Sequence, residues 1–129
     1  MSERERIFTG SELEGRYGYC RAILVGDRVV VSGTAPVWPD GSCDPDAGAQ
    51  ARRCFQIIEL ALAEAGSSLP EVVQTRMFVT DAGIAGAVGA VHAEFFSSHP
   101  PATSMVVVAG LLDPRWKVEI EAEAVKASS

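Results

Sequence analysis

Lys117 to Val125, KVEIEAEAV, alternates strictly between apolar or small residues and glutamates. Successive strand side chains point to opposite faces, so Val118, Ile120, Ala122 and Ala124 line one face and Glu119, Glu121 and Glu123 the other. One face therefore requires an apolar core. The other sets three carboxylates two residues apart, which repel unless solvent, cations or a partner surface screens them. A second period-2 run, Thr103 to Ala109, precedes it across a short connection containing Gly110, Asp113 and Pro114. This pattern predicts two strands linked by a turn or an irregular loop.

The upstream chain supplies partners for this pair. Arg4 to Phe8 predicts a short edge strand, and the runs Tyr19 to Val25 and Arg28 to Ser32 around Gly26-Asp27 predict a hairpin. Ala35 to Asp46, dense in Pro, Gly and Asp, reads as a loop presenting Trp38 for packing on the domain or on a neighbour. Asp44-Pro45 suits an N-cap followed by Pro at the first helical position, and Ala51, Cys54, Phe55, Ile58, Leu62 and Ala65 mark an amphipathic helix ending near Gly66. Glu71 to Thr80 predicts a strand with Val73, Thr75, Met77 and Val79 on one face and Val72, Gln74, Arg76 and Phe78 on the other.

Asp81 to Ser97 predicts a second helix on the stripe Ile84, Val88, Val91 and Phe95. Gly83, Gly86 and Gly89 each lower helix propensity and are read as points of close approach to the sheet or another backbone. His92 and His99, with no second histidine or carboxylate at ligand spacing, read as packing or surface residues. The order of elements implies some parallel pairing in a sheet of about six strands with two helices on one face. The uncovered face is expected to carry Phe78, Thr103, Met105 and Val107 beside the glutamates, which predicts burial by association of copies.

At 129 residues, 47% hydrophobic and 22% charged, the chain reads as one domain over residues 1–129. No apolar run approaches the roughly 20 residues needed to span a bilayer. The segment MSERERIFTG has no apolar core behind its charges, so no secretory signal and a cytoplasmic location are expected. The net charge is −6 and the arginines and lysines are scattered, which argues against binding nucleic acid through its phosphates. Cys20, Cys43 and Cys54 are odd in number and lack C-x-x-C spacing, so the sequence suggests no disulfide framework and no metal site.

Four segments taken together, VVVSGTAP, AQARRCFQIIELALAEAGSSLPEVVQTRMFVTD, AEFFSSHPPATSMVVV and VEIEAEAV, resemble the RidA/YjgF family of reactive-intermediate deaminases from about Tyr19 to Lys126. The resemblance implies a chorismate-mutase-like α+β subunit and a homotrimer whose sheets form a central barrel. It also implies three inter-subunit clefts that bind small molecules, with no cofactor. The activity implied is hydrolysis of enamines and imines derived from amino acids to ammonia and a 2-oxo acid.

Residue by residue, the resemblance assigns a water-handling glutamate to Glu119 and cleft-lining positions to Tyr19, Ser32 and Gly33. The family's substrate-binding arginine falls on Thr103, and an asparagine of its second helix falls on Gly89. A guanidinium offers a carboxylate a charged bidentate fork, whereas threonine offers one neutral hydroxyl. Losing such a charge-assisted pair costs about 2–5 kcal/mol. The resemblance thus implies an altered substrate preference, with Met105 beside Thr103 making the cleft more apolar and Arg76 or Arg115 available as substitute anion-binding groups. The alternative is a non-catalytic small-molecule-binding or interaction protein of the same fold. Glu119 has a purely structural alternative too, as a surface charge paired with Arg76 or Arg115.

Overall fold

The computed structural model describes residues 4–127; the first three residues of the N-terminal segment lie outside it. Six strands form one sheet: β1 (Arg4–Ile7), β2 (Ala22–Val25), β3 (Arg28–Thr34), β4 (Val72–Val79), β5 (Ala102–Val107) and β6 (Val118–Val125). Their order is β1-β2-β3-β6-β4-β5. Among the described residues only β4 and β5 pair in parallel, and the crossover that parallel pairing requires is made through a helix. Three α-helices complete the fold: α1 (Glu12–Tyr17), α2 (Ala47–Glu64) and α3 (Ala85–Phe96).

β6 runs through the middle of the sheet, between β3 and β4. Its residues Val118, Ile120, Ala122 and Ala124 are buried with Ala51, Cys54, Phe55, Ile58 and Leu62 of α2 and with Val88, Val91 and Phe96 of α3. The 3.6-residue stripe of each helix thus meets the two-residue alternation of the sheet, which is the condition for a shared core. The glutamate row is left on the opposite face. Phe55 is fully buried, with ring centroids 5.1 Å from Phe95 and 5.5 Å from Phe96.

Gln50, also fully buried, ties α2 to the entrance of β6. Its amide nitrogen donates to the carbonyls of Asp44 at 2.8 Å and Arg115 at 3.0 Å, and its oxygen accepts from the Lys117 backbone N–H at 2.7 Å. A carboxamide with both ends satisfied fixes backbone position without leaving a buried polar group unpaired. Glu119, two residues on, inherits that position.

Several local expectations are corrected. The α2 cap is Asp46, whose carboxylate accepts from the Ala49 N–H at 2.9 Å, while Asp44 accepts from the Asp46 N–H instead. α3 is preceded by a 3-10 turn at Ala82–Ile84 rather than being helical from Asp81. A Cβ on Gly86 would meet open space and one on Gly89 only the Met105 methyl at 4.0 Å, so neither marks a tight approach within the chain. In β4 a register shift between Val72 and Gln74 buries Val72 and exposes Val73, which reverses the predicted faces at that end.

The largest correction concerns β5. Thr103 stands opposite Thr75 in a parallel register, and Thr75 is fully buried on the helix side. Thr103, Met105 and Val107 therefore share the helix side, and Ala102, Ser104 and Val106 accompany Phe78 on the glutamate face. The Thr103 hydroxyl lies 2.8 Å from that of Thr75, which in turn lies 2.8 Å from Nε2 of His92. His92 belongs to this packing cluster and stacks on Phe96 at 4.7 Å between centroids; burial lowers its pKa.

Candidate functional site

The bend of β3 against β6 builds the site. Val31 pairs with Ala122 and Thr34 with Ile120, so Ser32 and Gly33 together oppose one residue of β6. This is a β-bulge, which locally bends a strand and re-aims its neighbours. A Cβ on Gly33 would stand 2.6 Å from Oε2 of Glu119. Only a residue without a side chain lets that carboxylate lie against the backbone of β3.

The chain reaches the same spot from the other side through α1. Ser11 caps this helix, and Gly18, at φ 75°, ends it in the left-handed conformation that glycine adopts without strain. The reversal delivers Tyr19 and Arg21, two residues apart and hence on one side of the extended chain. The Arg21 backbone is held on both sides, its N–H donating to the Ile7 carbonyl at 2.8 Å and its own carbonyl accepting from the Ser32 N–H at 2.9 Å. Its Nη2 donates to the Gly33 carbonyl at 2.7 Å, and its guanidinium carbon lies 5.9 Å from the centre of the Tyr19 ring.

A concavity of about 1120 Å³ opens here, lined by Tyr19, Arg21, Ser32, Gly33, Glu119 and Glu121 at its polar end. Its walls carry Phe8, Tyr17, Trp38, Leu60 and Trp116. Glu119 is half-buried; burial raises its pKa, the positive charge of Arg21 works against this, and the neighbouring charge of Glu121 adds to it. The net direction is upward. A carboxyl of this kind can exchange a proton with a bound water or ligand closer to neutral pH than an exposed glutamate does.

Of the residues singled out from sequence, Tyr19, Ser32, Gly33 and Glu119 are brought together. Ser32 spends its hydroxyl on the Cys20 carbonyl at 2.7 Å. Thr103 and Met105 are separated from Glu119 within the chain, on the other side of the sheet. Arg76 lies on the glutamate face and pairs with Glu121 at 3.5 Å, while Arg115 is bound to Asp113 at 2.9 Å and to the Gly41 carbonyl at 3.1 Å. Neither forms an ion pair with Glu119, which corrects the expectation of a Glu119 surface pair. Arg21 was missed, although counting by two from Tyr19 would have found it. Among the described residues no cluster of three or more metal-ligating side chains exists, and no helix is long and apolar enough to cross a membrane.

Gly33→Ala is expected to push the Glu119 carboxylate out toward water while the fold holds, because the atom in the way is the end of a flexible side chain. The carboxyl midpoint should then fall toward the ordinary glutamate value. A carbon-13 NMR titration of Glu119 reads this directly, and an unchanged midpoint contradicts the placement.

Fold and site together define the class: an α+β sheet protein with a bulge-supported carboxylate and a guanidinium facing an open concavity. The profile of the family described as Endoribonuclease L-PSP matches residues 9–126. The 2-iminobutanoate/2-iminopropanoate deaminase of Salmonella typhimurium is 36% identical over 84% of this chain and 87% of its own. A Mycobacterium tuberculosis crystal structure, described as a member of the YjgF/YER057c/UK114 family, superposes with a TM-score of 0.88 at 43% identity, covering 95% of this chain and 99% of that one. The structure of Escherichia coli TdcF with bound serine superposes at 0.79 with 32% identity, over 84% and 88% of the two chains. The chain belongs to the RidA/YjgF family.

Proposed function

We propose that this protein hydrolyses reactive imines or enamines with a substrate preference different from that of its characterised relatives, working as a cytoplasmic homotrimer with inter-subunit clefts. The observation that carries the reading is the Glu119 carboxyl, half-buried against Gly33 in a concavity large enough for a small molecule. In the reaction, Glu119 takes a proton from water as the water oxygen bonds to the imine carbon. Glu119 returns that proton to the nitrogen, and the carbinolamine expels ammonia as its hydroxyl loses a proton and becomes the carbonyl, so imine plus water balances carbonyl plus ammonia and Glu119 ends ionised. Tyr19 walls the site, and Gly33 keeps room for the carboxylate. A kinship with 2-iminobutanoate/2-iminopropanoate deaminase supports the chemistry. The net charge of −6 lends no support to action on RNA.

The altered preference rests on Thr103, whose neutral hydroxyl is bonded to Thr75 where the family's arginine is expected. That same observation favours the second reading, a binding protein that has kept the cleft without the chemistry. The deciding assay generates 2-imino acids in place with an amino-acid oxidase and follows the fate of the imine with and without this protein. Acceleration that differs in side-chain preference from the 2-iminobutanoate deaminases supports the hydrolase. No acceleration across small, charged and aromatic substrates leaves the binding protein.

A further inference from the structure

We propose that Arg21 is the residue that selects an anionic ligand in this concavity, and that the ligand is a small carboxylate carrying a bulky apolar side chain. The proposal deepens the reading above, because such a ligand is the substrate or product type of the reaction, yet binding can be measured whether or not turnover occurs.

Three observations converge on Arg21. First, it is held in place before any ligand arrives: Nη2 is bonded to the Gly33 carbonyl and the guanidinium stands over the Tyr19 ring. A cation whose rotamer is already fixed loses little further freedom on binding. Second, its donors are largely unspent. Nε is buried with no partner, and Nη1 has no hydrogen-bond partner among the described residues while remaining accessible. Third, Arg21 forms no ion pair among the described residues, whereas Arg76 and Arg115, the other candidate anion-binding groups, are already matched to Glu121 and Asp113. The charges of Glu14 and Glu119 act on the guanidinium from nearby but neither carboxylate is bonded to it, so a ligand carboxylate supplies acceptors that its free donors lack.

The side chain of the ligand follows from the walls. Phe8 is 57% exposed, Tyr17 65% and Leu60 63%, and all three line the same concavity as Trp38 and Trp116. Apolar surface of this extent favours a ligand able to cover it, so an aromatic or branched side chain is preferred to a methyl or ethyl group.

The test is titration calorimetry with 3-phenyl-2-oxopropanoate, its primary amide and 2-oxobutanoate. Wild type is expected to bind the phenyl carboxylate at least about 30-fold more tightly than the amide, the scale of one charge-assisted pair. It should bind 2-oxobutanoate about tenfold more weakly than the phenyl compound. Arg21→Gln should bring the carboxylate-to-amide ratio close to one while leaving amide affinity nearly unchanged, which also reports that the site is folded. Arg21→Lys should keep part of the preference, since charge remains and the fork is lost.

A wild type with no carboxylate preference, or an Arg21→Gln variant that keeps it, overturns the proposal; equal affinity for the two carboxylates overturns the apolar part. Should Arg21→Gln not fold, the Nε–H resonance of Arg21 in wild type decides. It should shift on adding the carboxylate and not the amide, and equal response to both overturns the assignment. Strong carboxylate binding without any turnover leaves Arg21 standing and removes only the hydrolytic reading.

Discussion

Replacing Glu119 by glutamine is expected to lower imine turnover by about 10²–10⁴-fold, the range set by losing a positioned general base. The fold should not suffer. Burial raises the Glu119 pKa above its ordinary 4.5, with Arg21 opposing and Glu121 reinforcing the shift. The folded protein therefore holds this proton more tightly than the unfolded chain does. Stability from this group is complete below the ordinary value and declines as pH rises through the raised one, so at neutral pH the ionised carboxylate is a small net cost. Glutamine removes that cost.

The variant should thus melt no lower than wild type at pH 7 and gain nothing relative to wild type at pH 4. The wild-type rate should rise with pH through a midpoint above 4.5, because the carboxylate form acts as base. Thermal melts at the two pH values and a pH–rate profile check the three statements together. A variant that retains most of its turnover would show that Glu119 is not the base.

Phe55→Ala is expected to cost about 3–5 kcal/mol, as removal of a fully buried aromatic ring does when the site collapses only partly. Phe55 has no exposed surface, and its ring meets Phe95, Phe96 and His92, the last at 5.6 Å between centroids. Each aromatic neighbour also loses an edge or tilted contact, which adds to the transfer and cavity terms. Against a total stability of about 5–15 kcal/mol for a domain, this change removes a fifth or more. Urea unfolding with an unchanged m-value measures it. A loss below about 1 kcal/mol would mean that α3 repacks onto α2, and the ring cluster would not be the clamp between them.

The elements that repeat at a fixed period were legible in the chain. KVEIEAEAV, the Gly26-Asp27 hairpin and the stripe of α2 each state their structure locally, and the structure agrees to within a few residues. The six residues of α1, ELEGRY, are too few and too polar to display a stripe, so only the cap geometry of Ser11 and Gly18 reveals the helix. The facing of β5 was misjudged because it is an edge strand exposed on much of both sides, and its register is dictated by β4 rather than by its own pattern.

The site divides in the same way. Glu119 and Gly33 were visible through resemblance, but their contact depends on a two-against-one bulge that no spacing within either strand announces. Arg21 went unnoticed because it was weighed as one of several scattered basic residues. Its value comes from where the Ile7 and Ser32 backbones pin it.

The position of β6 has a consequence for how the molecule comes into being. The strand that joins β3 to β4 follows the other five strands in the sequence and is made after them. Until it emerges from the ribosome, β1, β2 and β3 form one ribbon and β4 with β5 a two-stranded pair, and each presents an unpaired edge to whatever is nearby. The apolar stripes of α2 and α3 lack Val118, Ile120, Ala122 and Ala124 until then. A nascent or truncated chain ending before Val118 is therefore a pair of sticky fragments rather than a smaller version of the protein.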